Sequence, residues 1–327
     1  MKREGTPLRG LTGLDGLLLG LVGVWGVNFS VLKLGMAVMP PQIINTLRMG
    51  LAAVVFLVLL AAQGRLRWRR GDGPRILLLG LIGHALYQIL FIEGLQRTAV
   101  GNTSLILASV PMWVAIMGAL FGFERVVSRA WVGIGLAFTG VLVVILGSNQ
   151  AIHLPWLSDN TASSASLLGD LLVLGATWCW SGYTVLSQPL LKRYSPVQLN
   201  GWSLAAAGPV LIAAALFDGT SAGWGQVTPA VVFAVLYSGL LSVNICYVIW
   251  YAGVQRLGGA RTAVFSNITP LVAVATAWLW RGEPLHPVYL VGAVLIAGGV
   301  LLTRFTRPPV PADATVAGEA ESAVGTG

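Results

Sequence analysis

Five stretches of this chain, residues 16–32, 49–64, 76–92, 98–123 and 171–191, contain no Asp, Glu, Lys or Arg. A helix needs about 20 apolar residues to cross the hydrocarbon of a bilayer. Inside that layer every backbone N–H and C=O must find its partner within the protein, so a spanning segment closes its own hydrogen bonds as a helix. Windows of this kind therefore predict membrane crossing. The remainder of the chain agrees: charged residues make up 10% of the 327 and apolar residues 56%, whereas a soluble domain averages about 25% charged. Such a chain cannot clothe a soluble surface.

Ten segments qualify as spans, near residues 13–33, 42–62, 74–94, 100–122, 130–147, 168–189, 197–217, 229–252, 261–280 and 286–304. The expected organisation is a cytoplasmic N-terminus (1–12), five spans (13–147), an external Ser-rich linker (148–167), five more spans (168–304) and a disordered cytoplasmic tail (305–327) whose Pro, Ala, Gly and acidic residues have too little to bury. The basic start followed by an apolar run superficially resembles a secretory signal, but no small-residue processing site follows, and retention is expected.

The net charge of +8 does not form a nucleic-acid footprint, because the basic residues are scattered through short gaps between apolar windows rather than clustered on one module. They fix orientation instead. With the amino end in the cytoplasm, 16 of the 20 Lys and Arg fall on the inner side, which places both termini there. Cys179 and Cys246 both lie in apolar windows, so neither a disulfide framework nor a metal site is expected.

Two halves of the chain repeat. Residues 94–124 align without a gap on 253–283 at an offset of 159, pairing Gln96 with Gln255, Arg97 with Arg256, Thr103 with Thr262, Pro111 with Pro270 and Glu124 with Glu283. Upstream, an offset of 155 pairs Asp15 with Asp170, Trp25 with Trp180, Pro41 with Pro196 and Asn45 with Asn200. Two registers that share rare Trp, Pro, Arg and Glu are hard to obtain by chance from apolar helices. Each half holds five spans, and five is odd, so the halves must enter the membrane in opposite directions. That is the inverted-repeat plan of many secondary transporters, with a substrate site near the midplane between the repeats.

The patterns WGVNFSVLK, MPPQIINTLRM and GLQRTAVGNTSLILASVPMWVAIMGALFGFE, with the copy of the last at 253–283, resemble the EamA domain of the drug/metabolite transporter superfamily, present twice. The resemblance covers about residues 11–304 and implies an all-α carrier of ten transmembrane helices in the inner membrane, often an exporter of amino acids or other metabolites. In the second half Lys33 is matched by Gln188, Asn28 by Tyr183 and Arg48 by Ser203, so the two halves are not expected to share every role.

Residues three, four and seven apart share a helix face. His84, Tyr87, Gln88 and Phe91 fit that spacing on the third span, and Asn244, Tyr247 and Tyr251 on the eighth. Trp25 and Asn28 on the first span and their counterparts Trp180 and Tyr183 on the sixth sit at similar depth. Polar and aromatic groups at midplane suit a water-filled crevice for a small amphipathic solute; packing between helices is the competing reading of the same stripes. The substrate-binding set is thus Trp25, Asn28, His84, Tyr87, Gln88, Trp180, Tyr183, Asn244 and Tyr247. Pro111 and Pro270 interrupt the fourth and ninth spans and are candidate hinges, since proline frees a backbone carbonyl within a helix.

The ionisable groups divide. Asp15 and Asp170 begin the first and sixth spans, where a carboxylate favours the helix N-terminus. Glu124 and Glu283, at the ends of the fourth and ninth, are expected at the interfaces. His84 is the candidate for proton coupling because its titration falls near physiological pH, and Glu93 is a second candidate beside a structural pairing with Arg48 or Arg97. Arg48, which matches the Arg of the resembled family, is expected to snorkel outward; its alternative is a forked hold on a substrate carboxylate. Gly16 with Gly20, and Gly118 with Gly122, suit close helix packing, a homodimer contact included.

The expected function is secondary transport by alternating access, with export of small amphipathic metabolites such as amino acids. The expected partners are a small-molecule substrate, the lipid bilayer, protons as coupling ion and a second copy, with no nucleic acid and no cofactor. A facilitator of downhill flux and a membrane-embedded enzyme acting on a lipid or small molecule are the alternatives. Against the enzyme, the sequence has only three histidines and lacks HExxH and GxSxG; without a Walker A pattern, direct use of ATP is not expected either.

Overall fold

The computed structural model describes residues 13–122, 130–148, 167–218 and 227–305. The proposed N-terminus, most of the linker, the tail beyond Phe305 and Glu124 lie outside the described residues. Within them the chain is helical and has no strand. Taken through their internal breaks, the helices are α1 (Gly13–Met36), α2 (Pro41–Ala62), α3 (Gly73–Arg97), α4 (Val100–Leu120), α5 (Ala130–Ser148), α6 (Leu167–Leu191), α7 (Pro196–Asp218) and α8 (Pro229–Leu257). There follow α9, made of Gly259–Phe265, the 3-10 turn Ser266–Ile268 and Thr269–Arg281, and α10 (Pro287–Phe305).

Seven of these, α1 to α4 and α7 to α9, are long and apolar enough to cross a bilayer, and α5 and α10 contain the shorter apolar stretches Trp131–Leu146 and Pro287–Leu302. Span six differs in kind. Its helix is long, but Asp170, Thr177, Ser181, Thr184 and Ser187 make one face polar and fully buried, while Leu168, Leu171 and Trp178 stay exposed on the other.

Packing between the halves is reciprocal. Helix α3 lies on α6 as α8 lies on α1, and α4 lies on α6 as α9 lies on α1; α2 faces α7 and α5 faces α10. Close approaches repeat the same exchange. A Cβ on Gly80 would come within 2.3 Å of the Ser203 carbonyl, and one on its counterpart Gly239 within 2.9 Å of the Arg48 carbonyl. Likewise Gly140 admits Ile296, and its counterpart Gly299 admits Ala137. Backbones that meet this closely leave no room for a side chain, which is what fixes glycine in both halves. By contrast, among the described residues nothing comes within 4 Å of a Cβ placed on Gly16 or Gly20, and no described residue covers that small-residue face.

Two backbone features were not legible in the sequence. Helices α3 and α8 carry π turns, Leu81–Leu86 and Tyr237–Ile245, which overlap under the offset of 159. Such bulges recur at functional sites because they redirect side chains within a continuous helix.

Polar groups tie both ends of the bundle. At the end where α3 finishes, Lys33 donates to the Thr98 carbonyl at 2.7 Å and lies 3.8 Å from Glu283, which accepts the Val100 N–H at 2.9 Å. Asp170 accepts the Thr98 hydroxyl at 2.6 Å and the Asn102 amide at 3.0 Å. At the opposite end Tyr194 donates to Asp72 at 2.7 Å, Arg193 reaches Asp72 at 3.2 Å, and Trp202 donates to the Leu66 carbonyl at 3.1 Å. Burial, and then the bond to Asp72, push the Tyr194 phenol above its ordinary pKa, so it remains a donor at neutral pH.

Candidate functional site

Around the middle of the bundle the helices leave a cavity of about 70 Å³. Helix α1 turns Trp25, Asn28 and Phe29 towards it, at the spacing of one helix face. The Trp25 indole donates to the Ser242 carbonyl at 3.0 Å, inside the π turn of α8, and Asn28 Oδ1 accepts the Ser238 hydroxyl at 2.6 Å. Just beyond its own π turn, α3 contributes Tyr87, Gln88 and Phe91. Trp180 of α6 and Tyr247 of α8 close the aromatic side, their ring centroids 5.0 Å apart. The breaks in α4 and α9 supply Ser104, Ala108, Ser266 and Thr269.

Trp25 and Trp180 are counterparts at the offset of 155, and Gln88 and Tyr247 at the offset of 159. The first pair is in ring contact at 5.9 Å between centroids. In the second, the Gln88 amide donates to the Tyr247 hydroxyl at 2.9 Å. Residues exchanged by an approximate two-fold can touch each other only where its axis runs. Both pairs therefore mark the axis, and the cavity is built against it.

The cavity is nevertheless one-sided. The exchange takes Asn28 to Tyr183, Phe91 to Trp250 and Ser242 to Gly83. Tyr183 is fully buried, pairs with the Ser203 hydroxyl at 2.9 Å, and covers Gly83 so closely that a Cβ there would lie 2.3 Å from its ring. The space that is open beside Asn28 is filled beside Tyr183.

Six of the predicted residues meet in the cavity wall: Trp25, Asn28, Tyr87, Gln88, Trp180 and Tyr247. His84 and Tyr183 stand behind it. His84 is wholly enclosed, stacked on Tyr247 at 5.6 Å, with Nε2 3.2 Å from the Tyr183 hydroxyl and, among the described residues, no hydrogen-bond partner at Nδ1. Asn244 faces away, donating to the Ala52 carbonyl at 3.0 Å and bordering an apolar groove with Phe56 and Leu59. Glu93 pairs with Arg97 and accepts the Gln42 amide at 2.7 Å, outside the cavity. Pro111 and Pro270 each open the second segment of a broken helix, after Ser109 and after the 3-10 turn.

Arg48 departs from the sequence expectation. Instead of snorkelling outward it is 2% exposed and lines the cavity, donating to Asn45 Oδ1 at 3.0 Å and to Gln88 Oε1, with Phe91 6.0 Å away. A charged residue a turn or two inside an apolar span is the signal that carries this role. Among the described residues no group of three or more His, Cys, Asp or Glu could hold a metal ion.

The model of the EamA-like transporter family matches residues 14–146 and again 167–305. A probable amino-acid metabolite efflux pump of Escherichia coli (strain K12) is 29% identical over 302 residues, covering 89% of this chain and 95% of that protein. A probable terminal-alkyne amino-acid exporter of Streptantibioticus cattleyicolor is 28% identical, covering 87% and 91%, and the uncharacterised transporter YyaM of Bacillus subtilis is 27% identical over the same shares. A solved crystal structure, 18% identical, shares the fold with a TM-score of 0.62 over 88% of this chain and 95% of its own.

Proposed function

The chain belongs to the EamA-like transporter family, and from that premise we propose that it is a secondary exporter of small amphipathic metabolites such as amino acids, working by alternating access. Ten helices cross the inner membrane as two inverted repeats of five, with both termini in the cytoplasm. The observation that carries this reading is the meeting of Trp25 with Trp180 and of Gln88 with Tyr247 across the approximate two-fold, beside a polar and aromatic cavity. Inverted repeats rock about such an axis, so a site built on it faces each side of the membrane in turn.

The relatives named as amino-acid efflux pumps and exporters support the substrate class and the direction. The lining supports it chemically, since Trp and Tyr faces bury an apolar body while Asn28, Gln88 and Arg48 meet polar groups. The free space is small, about 70 Å³. With both ends tied, this geometry fits a narrow state between the two open ones, and a solute is admitted only when Lys33 and Glu283 part, or Asp72 and Tyr194 do. Protons couple through His84 in this scheme, and the breaks at Pro111 and Pro270 serve as hinges.

Counterflow in sealed vesicles tests it. Purified protein exchanges labelled amino acids across the membrane unaltered, and Trp180→Ala or His84→Ala lowers that exchange while membrane abundance is retained. Unchanged exchange in both variants defeats the site, and a chemically altered product would identify an enzyme. Flux independent of pH and of any proton gradient would identify a facilitator.

A further inference from the structure

Arg48 is a guanidinium with no carboxylate partner among the described residues. Its neighbours Asn45, Gln88 and Phe91 are neutral, its Nε has no hydrogen-bond partner among the described residues, and it is enclosed apart from the cavity it lines. Arginine stays protonated in proteins, and an unpaired charge inside a membrane protein is costly enough that such groups pair or serve a ligand. The acids of the interior are committed elsewhere: Glu93 to Arg97, Glu283 to Lys33 and Arg281, Asp170 to Thr98 and Asn102. The duplication sharpens the point, because the counterpart of Arg48 is Ser203, whose hydroxyl is occupied by Tyr183. The positive charge thus exists on one side of the axis only, the side that is open.

We propose that Arg48 is the receptor for the carboxylate of the transported solute, which makes the substrate class a small monocarboxylate with an apolar body, amino acids included. This rests on the carrier reading above and deepens it. Asn45 and Gln88 both accept from Nη2, so a carboxylate that took over one of those contacts together with Nη1 would meet the planar pair of donors that matches it. The other amide would keep its hold on Nη2, and Asn45 is itself anchored by donating to Gln42 at 3.3 Å. The aromatic faces of Trp25, Trp180 and Tyr247 receive the apolar body, and the same faces accept an α-ammonium through cation–π contact.

Binding separates from flux in the test. The probes are an equimolar mixture of L-amino acids with uncharged side chains, the mixture of their carboxamides, and the mixture of their deaminated acids. Thermal stability of the purified full chain in detergent reads binding, because a ligand that prefers the folded state raises the midpoint. The two acid mixtures are expected to raise it and the amides to leave it unchanged. Arg48→Gln is expected to weaken the acid response at least about thirtyfold. Arg48→Lys, which keeps the charge but loses the planar pair, is expected to weaken it about tenfold and serves as the deciding variant if the Gln protein does not fold.

Equal protection by acids and amides, protection by neither, or an acid response undiminished in the folded variants overturns the proposal. Counterflow in vesicles keeps the two readings apart. Acid-selective protection without exchange would sink the carrier and leave the Arg48 receptor, whereas exchange of acids and amides alike would sink the receptor and leave the carrier.

Discussion

Asn28 and Tyr183 occupy equivalent places in the two halves, yet beside one there is a cavity and beside the other a packed interior. On the open side stand Asn28, Arg48, Phe91 and Ser242; on the filled side their counterparts are Tyr183, Ser203, Trp250 and Gly83. The scaffold around both is alike, down to paired π turns in α3 and α8 and the paired approaches at Gly80 and Gly239. Duplication therefore supplies a matching backbone in both halves, while divergence of a few side chains decides which of two equivalent spaces stays open and which charge lines it.

Emptying the filled side should have the largest effect. Tyr183→Ala removes a fully buried ring together with the bond to Ser203 and is expected to cost about 3–5 kcal/mol, read as a fall in the thermal midpoint; an unchanged midpoint would mean the filled side is not a packed core. Next, Gly83→Ala forces a methyl into the Tyr183 ring and is expected to cost about 1–3 kcal/mol. Combined with Tyr183→Asn, which imitates the open side, most of that cost should vanish. A strictly additive double variant contradicts the exchange of Ser242 with Asn28 for Gly83 with Tyr183.

The scaffold is probed by Gly80→Ala and Gly239→Ala. Both are expected to destabilise, Gly80 more, because its added carbon meets a carbonyl at 2.3 Å against 2.9 Å. The reverse ranking would show that the two crossings are not equivalent. Smallest is Lys33→Gln, which copies Gln188 and removes the charge that spans Thr98 and Glu283. Gln can still donate to the Thr98 carbonyl, so the loss is the difference between a charged and a neutral hydrogen bond, about 1 kcal/mol, and the labelling rate of Asn28→Cys from that side should rise no more than about fivefold. No rise would show that this contact does not hold that end closed.

Much of this was written in the sequence for a plain reason. Lipid permits few chain conformations, so long uncharged windows announce helices, and repetition of Trp, Pro and Gly announces a repeat. Trp25, Asn28, Tyr87, Gln88, Trp180 and Tyr247 line one cavity wall because residues that share a helix face or a repeat position travel together. The same logic could not place Asn244, which shares a face with Tyr247 in an ideal helix; the π turn ending at Ile245 rotates one relative to the other. Nor could it place His84 behind the wall, since that depends on Tyr247 stacking over it.

The sequence by itself determined that this is a duplicated, helical, multi-pass membrane protein, because hydropathy and repetition are properties of the chain that no fold can alter. Only the tertiary structure decided that the axis passes between Trp25 and Trp180, that one of two equivalent spaces is filled by Tyr183, and that Arg48 turns inward. Those outcomes depend on which side chains from distant segments arrive at the same point, and distance along the chain carries no record of that.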